Sequence, residues 1–108
     1  MDRITDFVAG TDDITIISAT TTVTSVTITA VTVSTAETVA ALLTAIGTSV
    51  AASVAPASQV GLITVTAGTM AGTYLLINDT VSTAAATDSL INITGVSGTV
   101  TAADFLFA

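Results

Sequence analysis

Carboxylates carry almost all the ionic chemistry this sequence can offer. Eight acidic residues stand against a single basic one, Arg3, and neither histidine nor cysteine occurs. Without imidazole or thiol, Ser-His triads, thiolate nucleophiles and imidazole or thiolate metal sites are all ruled out. No phosphate-binding glycine loop is present, nor any lysine to serve one. A carboxylate pair is the remaining acid–base option, with Asp12 and Asp13 or Asp79 and Asp88 as the nearest candidates. Both pairs lie in turn-like sequence, where solvated aspartates are ordinary. No catalytic residue is therefore expected, and the chain is not read as an enzyme.

Cation binding is a different use of the same oxygens. A hard ion such as Ca²⁺ wants several oxygen ligands, and Asn78, Asp79, Thr87 and Asp88 could converge from the two ends of one loop. Asn78, Asp79 and Asp88 are the candidate metal ligands on this reading. Asp2, Asp6, Asp12 and Asp13 form a second acidic group. The competing reading has these side chains capping turns, and no EF-hand spacing favours the ion. Thr-x-Thr units (Thr22 and Thr24, Thr27 and Thr29, Thr64 and Thr66) do not recur at a fixed period, so wet strand faces explain them better than a flat binding array.

The formal net charge of −7 excludes a phosphate backbone as partner and disfavours anionic membrane surfaces. Charged residues make up only 8% of the chain against 51% hydrophobic, so Thr and Ser must keep the surface wet. With Arg3 as the lone cation, strand edges lack the lysines that discourage edge-to-edge pairing, and homo-oligomers through exposed edges are expected. No apolar run is long enough to span a bilayer, so membrane insertion is not expected. Met1–Phe7 has no basic region followed by an apolar core, so a cleavable secretory signal of the usual kind is not expected either.

The elements that would position these groups read as strands, one helix, then more strands, in a single domain over residues 1–108. Asp13–Ile17 follows a Gly10–Asp13 turn. Thr20–Val33 is nearly all β-branched and alternates once a phase shift near Ser25 is allowed, which predicts a long, bulged strand. Ser34 and Glu37 fit a capping box, and Val39, Leu42, Leu43, Ile46 and Val50 recur at helical spacing. One helix is expected over about 35–54, weakened at Gly47 and stopped by Pro56. Gln59–Ala67 predicts a strand. Gly72–Val96 predicts a hairpin whose apolar arms, Tyr74–Ile77 and Leu90–Ile93, flank the acidic loop. The expected class is mainly β (α+β): an antiparallel sheet or two-layer β-rich domain with the helix packed on it.

Three segments resemble a known family. Asp2–Phe7 followed by Gly10–Ile14 resembles the stretch that closes the glycine-aspartate nonapeptide (RTX) arrays of bacterial proteins secreted by type I systems. Thr73–Asp79 followed by Ala86–Gly95 is similar to the C-terminal domain after such arrays, most like the versions on cyanobacterial surface and calcium-binding proteins, including those with a bluetail domain. Ala103–Ala108 resembles the extreme C-terminus of such substrates, an acidic residue followed by apolar ones. The repeat G-G-x-G-x-D itself is absent, so the arrays' calcium chemistry does not carry over. The resemblance implies a non-enzymatic C-terminal export signal and folding cap, cut from a larger protein and acting outside the cell or at its surface. Asp104, Phe105, Leu106, Phe107 and Ala108 would be the secretion signal, and the type I apparatus the partner. The alternative is a self-assembling surface-layer or adhesive module.

Overall fold

A computed structural model of the chain describes residues 1–17 and 22–107. Its strands are β1 (Asp2–Arg3), β2 (Ile14–Ile16), β3 (Ser25–Val33), β4 (Ala57–Val65), β5 (Gly72–Ile77), β6 (Ser89–Asn92) and β7 (Phe105–Phe107). One helix, α1 (Val39–Ile46), lies between β3 and β4, and a 3₁₀ turn covers Ala102–Asp104. This is the β-rich fold with a single helix that the patterning predicts.

Five strands form one sheet in the order β1-β6-β5-β4-β3, and β2 pairs with β7 in a second, small sheet. The Gly72–Val96 hairpin forms as expected: β5 and β6 are antiparallel, with Tyr74 opposite Asn92 and Ile77 opposite Ser89. β4 joins β5 antiparallel. The sheet is nevertheless mixed, because β3 runs parallel to β4 and β1 runs parallel to β6. A parallel neighbour needs a crossover, and α1 supplies it between β3 and β4.

Side-chain alternation along the strands builds two cores on opposite faces of this sheet. Ile63, Val65, Tyr74 and Leu76 point to one face and pack with Leu42, Leu43 and Ile46 of the helix. Val26, Val60 and Leu75 point to the other face and meet Phe7, Ile93, Val100 and Phe105, with Ile14 and Ile16 alongside. The helix therefore covers one side and the two terminal segments cover the other. Gly61 is needed where Val50 presses onto the sheet: a Cβ there would sit 2.6 Å from Val50 Cγ2 and 2.8 Å from Ile63 Cδ1.

Local detail differs from the expectations, first in the helix. The helix runs over Val39–Ile46 rather than about 35–54. Its N-cap is Thr38, whose Oγ1 accepts from Ala41 N at 3.1 Å, not Ser34. Glu37 turns instead to Thr69, accepting from its hydroxyl at 2.5 Å and from its N–H at 3.1 Å. Those bonds, the hydroxyl first, hold the exposed Glu37 carboxyl below the usual range. Ala36 is committed to the same turn, donating to Ala67 C=O and accepting from Met70 N. Gly47 at φ 53 is the C-cap rather than a weak interior residue, so the helix has ended well before Pro56.

Strand β3 begins at Ser25, shorter than the expected Thr20–Val33, and its register with β4 is unbroken to Val33, with no bulge. Thr20 and Thr21 lie outside the described residues. Pairing starts at Ser25 because β4 starts opposite it, just after Pro56, whose carbonyl accepts from both Thr24 N and Ser25 N. At the other end of the hairpin, Gly72 adopts a φ of 150 and the Thr94 side chain occupies the space a Cβ would need.

Candidate functional site

The acidic loop between β5 and β6 is tightly self-bonded. Asn78 is 4% exposed and donates through Nδ2 to Val50 C=O at 3.2 Å, Ala51 C=O at 3.0 Å and Ser82 C=O at 3.5 Å. Its backbone C=O accepts from Ser53 Oγ at 2.7 Å, and that same hydroxyl accepts from Gln59 N at 2.8 Å. Asn78 thus clamps the segment after the helix to the end of β5. Backbone outside a helix or a strand ladder depends on such side-chain partners for its hydrogen bonds.

Asp79 and Asp88, apart in sequence, are brought together. Asp88 Oδ1 accepts from Asp79 N at 2.9 Å and its Oδ2 from Ala85 N at 2.8 Å. Asp79 Oδ1 accepts from Val81 N at 2.8 Å and its Oδ2 from Thr87 Oγ1 at 3.0 Å. Every carboxylate oxygen of the pair therefore faces an N–H or O–H donor, the arrangement of aspartates that close turns. Among the described residues no group of three or more acidic, histidine or cysteine side chains is placed to hold a metal ion. An open cleft of about 660 Å³ runs past Asp88 and Leu90, between Ile14 and Ile16 of β2 and Leu43 of the helix.

The second acidic group likewise forms no cluster placed to hold a metal ion among the described residues. Asp2 sits on β1 beside β6. Asp12 Oδ2 accepts from Val8 N at 2.8 Å and closes the turn before β2.

The C-terminal segment is the more constructed site. Asp104 is only 2% exposed. Its Oδ1 accepts from Gly10 N at 2.6 Å and its Oδ2 from Thr101 N at 2.8 Å. Phe105 enters the second core, whereas Leu106 is 49% and Phe107 37% exposed. β7 pairs in parallel with β2, setting Ile14 against Phe105 and Ile16 against Phe107. Just upstream, Ala9 N donates to Ser97 C=O and Ser97 N to Phe7 C=O. The head and tail segments are therefore one structural unit. Ala108 lies outside the described residues.

Two partnerships here escape a reading of the sequence. Thr101-x-x-Asp104 before an apolar run has the capping-box signature and could have marked Asp104 as a cap. Nothing local marks Gly10 as its second donor. Comparison of the chain with protein-family models, curated proteins and solved structures finds no match.

Proposed function

We propose that this chain is a non-enzymatic C-terminal domain of a bacterial extracellular or cell-surface protein, exported by a type I apparatus, in which one segment serves as export signal and folding cap. The observation that carries the reading is the use the fold makes of its tail. Asp104 is buried on Gly10 and Thr101, Phe105 is in the core, and β7 is a paired strand. A tail engaged in this way is not available as a linear signal. The exporter would have to read Asp104–Ala108 before folding, and folding outside would then conceal the signal and close the sheet's second face. The head segment, Asp2–Ile14, supplies the other half of that closure, which suits the junction with an upstream array.

The test fuses the chain behind a passenger in a bacterium with a working type I exporter. The intact chain is expected to send the passenger into the medium, and deletion of Asp104–Ala108 to abolish export. Because that deletion also removes core contacts, a full-length Ile63→Asp variant serves as control. Ile63 is fully buried on the far face, so this variant is unfolded yet keeps its tail, and it is expected to be exported. Export that survives the deletion, or that fails for Ile63→Asp while the folded chain passes, would sink the proposal.

A further inference from the structure

The long open edge of the large sheet belongs to β3. Ser25 N donates to Pro56 C=O, and Val33 C=O accepts from Thr66 N, so both residues face β4. Backbone groups alternate sides along a strand, so Thr27, Thr29 and Val31 face β4 as well. Val26, Ile28, Ala30 and Thr32 then turn their N–H and C=O groups outward. β3 is the terminal strand of the sheet, and no described residue pairs with that outer side.

From this edge we infer that the chain forms a two-fold dimer by antiparallel pairing of β3 with β3 of a second copy, centred on Thr29. In that register Val26 meets the partner's Thr32 and Ile28 meets the partner's Ala30, and the reverse contacts follow by symmetry. Each outward N–H and C=O thereby gains a partner. A second copy fits better than an arbitrary strand because of charge. β3 itself carries no charged side chain, and Asp104, in the 3₁₀ turn that lies against β3, is buried on Gly10 and Thr101. Two chains of net charge −7 therefore meet at this seam with no carboxylate of β3 apposed along it. Nothing in the strand protects it: β3 has no lysine, proline or bulge over its nine residues. Ala30 and Thr32 are exposed, so a neighbouring strand would not have to displace them.

The same topology limits the assembly. The opposite edge is β1, two residues long and carrying Asp2 and Arg3. Among the described residues each molecule thus has one long open edge, the strands of the small sheet being three residues each, and an isologous contact consumes it in both partners. The product is a closed pair that joins two five-stranded sheets, not an open array. This inference stands on the sheet edge and is independent of the export reading.

Sedimentation equilibrium of the purified chain across a dilution series, at about 0.15 M salt, tests it. The mass is expected to rise from monomer to dimer and stop there. Ala30→Pro removes one outward donor without touching the β4 ladder, and Ala30→Lys places a charge at the seam. Each is expected to raise the dimer dissociation constant at least roughly tenfold, with the melting temperature at low concentration unchanged for Ala30→Lys. Should Ala30→Pro misfold, the lysine variant alone decides. A chain monomeric at every concentration, a dimer indifferent to Ala30→Lys, or growth beyond the dimer would each overturn the inference.

Discussion

At the scale of single residues, Asp79, Asp88 and Asp104 are spoken for by N–H and O–H donors of the fold. Asp79 and Asp88 each accept through both oxygens, and Asp104 does the same between Gly10 and Thr101. A calcium ion would need about six to eight oxygens and would have to compete with these donors. Calorimetric titration of the chain with Ca²⁺ is therefore expected to give no binding heat and no thermal shift. A saturable heat lost in Asp79→Asn and Asp88→Asn would show that the loop exchanges its N–H partners for the ion. The sequence reveals that Asn78, Asp79 and Asp88 flank one loop. It does not reveal that Asn78 reaches back to Val50 and Ala51, because that bond depends on where the segment after the helix is laid.

Among the elements, the hairpin is legible because its signal is local: two short apolar runs, each ended by polar turn residues, pair with each other. The helix is legible as a period but not in its limits. Ser34 and Glu37 have the spacing of a capping box, yet Glu37 is drawn off by Thr69, a contact across 32 residues, and Thr38 caps instead. The parallel pairing of β3 with β4 leaves no mark in either strand, since alternation is the same in both senses of pairing. Packing between elements is testable at Gly61, where Val50 fills the space of a missing Cβ. Gly61→Ala is expected to lose about 1–3 kcal/mol by overpacking, read from urea unfolding. Adding Val50→Ala should recover part of the loss; if it recovers nothing, the strain lies elsewhere.

For the whole molecule, charge and topology act together. A net charge of −7 repels itself in the compact state more than in the expanded chain. Added salt screens that repulsion over a Debye length of about 10 Å at 0.1 M. The melting temperature at low protein concentration is therefore expected to rise between roughly 0.01 M and 1 M NaCl; a fall would mean that local attractions outweigh the net repulsion. The two-faced core also explains why the terminal segments carry so much of the fold: without them Val60, Leu75 and Ile93 face water. The bond from Gly10 to Asp104 spans 94 residues. Closing a loop of that size costs chain entropy that grows as the logarithm of its length, and no short-range contact repays it in advance. Closure of the second face is therefore expected to come late in folding, after β3 to β6 and the helix have assembled and brought the two terminal segments near each other.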